Sequence, residues 1–282
     1  MVRTLPELIA ATSELPALPS TTVRLLDLLE DATVEAAAVL EIIEKDPALT
    51  ANLLKLCNSA YYGLRRRVGS VREALVMLGN QTVLTLAFAT SMGDILRGSM
   101  RAYRLEQHQL WHHSLATAFV ASALLPESAG GHRERAFTAG LVHDIGKLLL
   151  DRPLGEQLQQ LPRGATPDDL LAAERSILGY DHARAGAALA RAWNFPADLV
   201  TAIACHHAPE RAERQPEVAS AVAAANLVAL AGGFGGGLTE IPDDDVYVRL
   251  ETLGVPADTA HALVERLPRD LENLLSMLGE TA

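Results

Sequence analysis

The sequence predicts an all-α protein. Aromatic residues make up only 4% of the 282 residues, whereas hydrophobic residues make up 49%. A core built from Ala, Leu, Val and Ile suits closely packed helices better than a sandwich rich in aromatic and β-branched residues. Helix-starting and helix-ending residues recur along the chain, and no alternating run long enough for a β-strand is present.

Five or six short helices are predicted in the first part of the chain. Asp46 and Pro47 are typical of an N-cap and a first helical position, because the proline N–H is missing where it would be unpaired. Ser70 is expected to cap another helix, and Thr33 a third. These helices define a predicted N-terminal subdomain over residues 1–103.

The second part is predicted to continue as helices and to form a core over residues 104–238. One helix is expected over residues 105–125 and another over residues 134–150. Thr166 is followed by a proline and two aspartates, a pattern typical of a capped helix start. Asp181 is expected to cap the helix after it.

Acidic residues are concentrated in the last segment, which is predicted to be a helical cap over residues 239–282. From Glu240 onward there are ten acids and three bases, so most of the formal net charge of −11 lies there. The acidic surplus argues against a general nucleic-acid-binding protein, which would need a basic face. Arg65 to Arg67 are a local exception, interpreted as either a solvated loop or a small contact patch for anionic groups.

Two features bear on the compartment. The two cysteines are too few for a disulfide framework, which favours a reducing cytoplasm. Residues 218–239 carry no charge but are rich in Ala and Gly. We therefore expect a buried helix and a glycine loop there, and no membrane span.

Five of the nine histidines and one aspartate form a candidate metal site. Imidazole and carboxylate ligands suit Fe, Mn, Zn or a similar divalent ion. Such an ion can lower the pKa of a bound water and make a nucleophile for a phosphoester. The candidate ligands are His113, His143, Asp144, His182, His206 and His207. Lys147 follows one turn after Asp144 and could either bind an anion or be an ordinary lysine at a helix end.

The number of carboxylates limits what this site can do. Asp144 is the only acid in the set, whereas a site with two metal ions needs negative charge and usually a bridging carboxylate. Asn226 stands where a second carboxylate would be useful. An amide has the shape of a carboxylate but no charge.

These motifs resemble the HD-related output domain (HDOD) family over about residues 15–230. The matching segments cover residues 15–19, 43–50, 54–60, 74–79, 110–114, 139–147, 179–183, 193–196 and 206–207. The resemblance implies an N-terminal helical bundle packed on an HD-type helical core. It also implies a bacterial signal-transduction module that acts through protein partners such as a cyclase, a kinase or a response regulator.

The related HD-GYP phosphodiesterases provide the enzymatic alternative, a metal-dependent phosphohydrolase acting on cyclic dinucleotides. Their metal ligands would fall on the six candidate ligands named above, and Lys147 would match their phosphate-facing lysine. The chain lacks their Gly-Tyr-Pro motif after His207, and Asn226 replaces their final aspartate. We therefore expect a non-catalytic regulatory module with a degenerate metal site. In the alternative, Asp144 and Lys147 would be catalytic.

Overall fold

The computed structural model describes residues 5–11, 18–31, 33–129, 131–162, 164–235 and 237–280. These residues form helices and two isolated bridge pairs but no β-strand, which confirms the all-α prediction. Residues 15–17, in the first segment that resembles the HDOD family, lie outside the described residues.

The chain divides into two compact units, which we call the larger and the smaller unit. The larger unit comprises residues 1–16 and 95–267, and the smaller unit comprises residues 17–94 and 268–282. The division into a subdomain over residues 1–103, a core over residues 104–238 and a cap over residues 239–282 stays a prediction.

The helices of the first half are α1 (Leu5–Ala11), α2 (Ser20–Leu29), α3 (Ala36–Ile43), α4 (Pro47–Cys57), α5 (Val71–Leu78), α6 (Asn80–Leu96) and α7 (Gln109–Leu124). Those of the second half are α8 (His132–Val142), α9 (Gly146–Leu158), α10 (Pro167–Leu178), α11 (His182–Ala192), α12 (Ala197–Cys205), α13 (Pro216–Ala229), α14 (Asp243–Thr252) and α15 (Ala257–Leu278). Short 3₁₀ turns lie at Ala60–Tyr62, Glu127–Ala129 and Pro209–Arg211, and a π-helical turn at Leu230–Phe234 follows α13.

Local capping chemistry explains several helix starts. The Asp46 carboxylate accepts hydrogen bonds from the first backbone N–H groups of α4, and the Ser70 hydroxyl accepts one at α5. Thr166 forms a reciprocal capping box with Asp169 at α10. The prediction for Thr33 is wrong. Its backbone N–H and hydroxyl both donate to Asp31, so it belongs to the turn that precedes α3.

The predicted helix over residues 134–150 is interrupted, which is a correction to the sequence analysis. It consists of α8 and α9, separated by residues 143–145. A Cβ atom on Gly146 would lie 1.9 Å from the His182 carbonyl oxygen, so the backbones of α9 and α11 touch at this point. His143 and Asp144 therefore lie in the bend between α8 and α9, and the first residue of α9 packs against the backbone of α11.

One described helix, Pro216–Phe234, is long and apolar enough to cross a membrane by length and composition. Of its most apolar window, 61% is buried inside the protein. Helix α13, which forms most of it, packs against α7 and α8. The apolar residues of this helix are therefore accounted for by the core of the larger unit.

Candidate metal centre

The candidate metal ligands come from four places in the larger unit and meet at one point. His113 lies on α7, His143 and Asp144 lie at the break before α9, and His182 begins α11. His206 and His207 directly follow α12. We call these six residues the histidine centre.

Asp144 lies in the middle of the histidine centre, with a side chain that is only 3% exposed. Its Oδ2 atom is 3.5 Å from Nε2 of His113 and 3.4 Å from Nε2 of His143. Its Oδ1 atom is 3.2 Å from Nε2 of His182 and 3.8 Å from Nε2 of His206. Each carboxylate oxygen therefore faces a different group of histidines.

The ligand atoms form two groups, each within a span of 4.8 Å. One group is His113, His143 and Asp144, and the other is His182, His206 and His207. The Nε2 atoms of His113 and His143 are 3.2 Å apart, and those of His182 and His207 are 3.0 Å apart. Clustered imidazole nitrogens around a carboxylate are a donor set that fits a divalent transition-metal ion.

The hydrogen bonds on the far side of two rings favour this interpretation. Nδ1 of His143 lies 2.7 Å from the Gly140 carbonyl, and Nδ1 of His206 lies 2.7 Å from the Ile203 carbonyl. A carbonyl only accepts, so in the neutral rings Nδ1 carries the proton and Nε2 presents a lone pair to the centre. Nε2 of His206 is buried and forms no hydrogen bond within the described residues. The residues present thus fit a bound cation.

Glu174 is a candidate site residue that the sequence analysis missed. It lies on α10 and is fully buried. Its Oε2 atom accepts a hydrogen bond of 2.7 Å from the backbone N–H of His182 and lies 2.8 Å from Nδ1 of the same residue. A carboxylate behind a ligating histidine fixes the tautomer and the orientation of the ring. The available signal was the position of an acid on the apolar face of α10, since Leu170, Leu171 and Leu178 on that face are buried.

Lys147 joins the histidine centre through an ion pair. Its side chain is 13% exposed, and Nζ donates to Oδ2 of Asp144 at 2.5 Å. Nζ also lies 5.7 Å from the centre of the Tyr103 ring. The positive charge of Lys147 is therefore directed at the carboxylate.

Burial and neighbouring charges divide the histidines into two electrostatic classes. Burial lowers the pKa of His113 to about 3, helped by the nearby His143, and burial also holds the pKa of His206 well below its usual range. Burial acts in the same direction on His182, but the charge of Glu174 and the hydrogen bonds with Asp144 and Glu174 outweigh it and raise the pKa of His182 to about 9. Burial acts to raise the pKa of Asp144, but Lys147 and His143 hold it well below its ordinary value.

A cavity of about 240 Å³ adjoins the second group of histidines. Asn226 lines it together with His206, His207, Asp168, Glu210 and Arg249. Nη2 of Arg249 donates to Oδ2 of Asp168 at 2.8 Å, so the guanidinium is paired with an acid of the same cavity. The opening beside the histidine centre thus contains two carboxylates, Asp168, which is paired with Arg249, and Glu210, whose Oε1 lies 3.6 Å from Nε of Arg211. It also contains the neutral amide of Asn226, where the sequence analysis looked for a further carboxylate.

The chain is similar to a known domain family and to several proteins of known structure. The model of the HDOD domain family matches residues 15–209. An HDOD domain protein of unknown function from Geobacter sulfurreducens has a similar structure, with a TM-score of 0.75, 24% sequence identity, and coverage of 94% of this chain and 87% of that chain. A protein of Shewanella amazonensis SB2B named as a candidate phosphohydrolase is 28% identical, with a TM-score of 0.69 and coverage of 96% and 97% of the two chains.

An uncharacterized protein of Treponema pallidum (strain Nichols) is 29% identical over 221 residues. The alignment covers 76% of this chain but 42% of that protein. The chain therefore spans less than half the length of this curated relative.

Proposed function

The chain belongs to the HDOD domain family, and from that premise we propose that it is a non-catalytic regulatory module of bacterial signal transduction. We propose further that its histidine centre binds a divalent ion of Fe, Mn or Zn as a structural or sensed ligand. The observation that carries this proposal is the convergence of four histidine Nε2 atoms on the two oxygens of the buried Asp144.

The proposed ligands are supplied by helices that are far apart in sequence. His113, the His143–Asp144 pair, His182 and the His206–His207 pair would hold the ion. When bound, the ion supplies positive charge and Lewis acidity at the point where α7, α9, α11 and α12 meet. The carbonyls behind His143 and His206, and the carboxylate behind His182, keep the Nε2 lone pairs directed inward.

The surroundings of the histidine centre favour binding without hydrolysis. A phosphoester carries negative charge, and the adjoining cavity contains Asp168 and Glu210, with Arg249 paired to Asp168. Lys147, the candidate phosphate-binding residue, already donates to Asp144. Asn226 adds no charge to hold a second ion.

A metal-dependent phosphohydrolase is the second candidate, because the Shewanella protein that is 28% identical is named as a candidate phosphohydrolase. In that case Asp144 and Lys147 would act directly on the substrate. Lys147 would have to exchange its bond to Asp144 for one to a phosphate oxygen.

We propose that the smaller unit binds the protein partners. These would be cytoplasmic signalling proteins such as a cyclase, a kinase or a response regulator. Arg65 and Arg67 are exposed there, and Val76 is 80% exposed on α5. Arg66 lies 3.9 Å from Glu73, one turn before Val76 and Met77, so the basic and apolar groups adjoin. A surface of this kind suits an acidic, partly apolar surface on a signalling protein.

The test measures metal binding and turnover on the same preparation. Protein purified without oxygen is analysed for bound metal, titrated with Mn²⁺ and Zn²⁺, and incubated with a cyclic dinucleotide. We expect metal binding that His143→Ala and Asp144→Ala each weaken by about 100-fold or more, and no turnover. His132→Ala, which removes a surface histidine paired with Glu217, serves as the control.

Two results would contradict the proposal in different ways. Turnover that His143→Ala and Asp144→Ala abolish would identify a phosphohydrolase. Failure to bind any of the added ions would remove the metal from the proposal and leave only the regulatory function.

A further inference from the structure

The chain between α6 and α7 forms a closed loop that is fixed to α9. We call residues 97–108 the connecting segment. Met100 and Leu105 exchange backbone hydrogen bonds of 2.8 and 2.9 Å. The backbone N–H of Ala102 donates to Oδ1 of Asp151 on α9 at 2.8 Å. These bonds close the segment on itself and fix its middle to α9.

Tyr103 connects this segment to the histidine centre. The side chain is buried, and its hydroxyl donates to Oε1 of Glu174 at 2.7 Å. Oε2 of the same carboxylate accepts the backbone N–H of His182. One fully buried carboxylate thus receives donors from a proposed metal ligand and from the connecting segment.

The glycine loop after α13 makes a second connection between the same two regions. The Phe234 carbonyl lies 3.0 Å from Nδ1 of His113. Gly237, with φ of +72°, packs so closely that a Cβ atom there would lie 2.2 Å from the Tyr103 carbonyl oxygen. The connecting segment therefore contacts Glu174 and the glycine loop, and these two also contact His182 and His113 of the histidine centre.

We propose that Tyr103 and Glu174 couple metal occupancy of the histidine centre to the order of the connecting segment. This inference rests on the proposed metal binding. A cation bound at the histidine centre would restrain the imidazole of His182. The Glu174 carboxylate contacts Nδ1 of that ring and accepts the backbone N–H of the same residue, so its position would be restrained with the ring. The carboxylate then offers Oε1 to Tyr103 in a single position. Binding that restrains one end of such a chain of contacts also lowers the entropy cost of ordering the other end.

The experiment measures hydrogen–deuterium exchange of the Met100, Ala102 and Leu105 amides, with and without saturating Zn²⁺. It compares the wild-type chain, Tyr103→Phe and Tyr247→Phe. Phenylalanine keeps the ring and removes only the hydroxyl. Tyr247 stacks on His261 on α15 and serves as the matched control.

We expect Zn²⁺ to slow exchange of these amides by about fivefold or more in the wild-type chain and in Tyr247→Phe. In Tyr103→Phe, saturated with Zn²⁺, the slowing is lost. If Tyr103→Phe does not fold, Tyr103→Met removes the same hydroxyl with a side chain that adapts to a core.

The outcomes separate this inference from the proposed function. Titration that detects no metal on the wild-type chain removes metal binding from the proposed function and overturns the coupling with it. Zn²⁺ binding without slower exchange in the wild-type chain overturns the coupling. Equal slowing in the wild-type chain and Tyr103→Phe also overturns it.

Discussion

The histidine centre of the larger unit and the exposed surface around Arg65, Arg67 and Val76 of the smaller unit, which we call the basic surface, differ in how their charged groups are solvated. Around Asp144 the ionisable partners lie within 3.8 Å, and all of them are buried except Lys147, whose side chain is 13% exposed. On the basic surface, Arg65 and Arg67 are exposed to solvent and Val76 is uncovered. Buried polar groups must be satisfied by the chain itself, whereas exposed ones are satisfied by water. Binding at the histidine centre therefore depends on the exact positions of its side chains, whereas binding at the basic surface depends on its summed charge.

The largest difference between the two regions is expected in Zn²⁺ affinity, when a glutamate in each region is replaced by glutamine. Glu174→Gln removes the carboxylate charge behind His182 and should weaken Zn²⁺ affinity by about 10- to 100-fold. Glu73→Gln changes an acid on α5 that lies beside Arg66, and it should leave the Zn²⁺ affinity unchanged. Isothermal titration calorimetry on both variants makes the comparison, and equal affinities would show that Glu174 does not support a metal ligand.

The buried charges should also make stability depend on pH in the absence of metal. The pKa of His182 is raised from 6.5 to about 9 in the folded chain. Its protonated form therefore stabilises the fold fully below about pH 6.5, and this contribution is lost as the pH rises through 9. Urea denaturation in a chelator should give a lower free energy of unfolding at pH 9.5 than at pH 7.

His182→Gln is the control for that measurement, because it removes the titrating group and should flatten the change between pH 7 and 9.5. A wild-type chain whose stability rises over this interval would contradict the charge assignment at His182.

Glycine substitutions compare the packing of the two regions. Gly146→Ala places a Cβ atom against the His182 backbone and should cost about 1–3 kcal/mol of unfolding free energy. Gly69→Ala in the smaller unit places a Cβ atom 3.8 Å from Glu73 Oε2, an ordinary contact, and should not destabilise the chain. Chemical denaturation of both variants distinguishes them, and a Gly146→Ala variant as stable as the wild-type chain would mean that the α9–α11 contact is not tight.

The smallest effect is expected from reversing charge on the basic surface. Arg65→Glu combined with Arg67→Glu should change the unfolding free energy by less than about 0.5 kcal/mol, because both side chains are solvated. Zn²⁺ affinity should also stay the same. A changed affinity would show that the two regions are not electrostatically independent.

Much of the secondary structure was predictable because the signals are local. Asp46, Ser70 and Thr166 each accept from a backbone N–H within three residues, so the cap and its helix are adjacent in sequence. The same local logic failed at Thr33, because α3 begins at Ala36 with Glu35 at its N-cap position and Thr33 donates to Asp31 in the preceding turn. It also failed at residues 143–145, where the helix break coincides with a contact to α11 that is distant in sequence.

The sequence by itself determined the helical class, most of the caps and the set of histidines with one aspartate that could form a site. Only the tertiary structure decided that Asp144 lies between two groups of histidines and that Glu174 is directed at His182 from behind. The physical reason is range. A cap is an interaction within one turn, whereas the centre depends on helices brought together by the core. An acid such as Glu174 contacts His182 only because packing brings their two helices together.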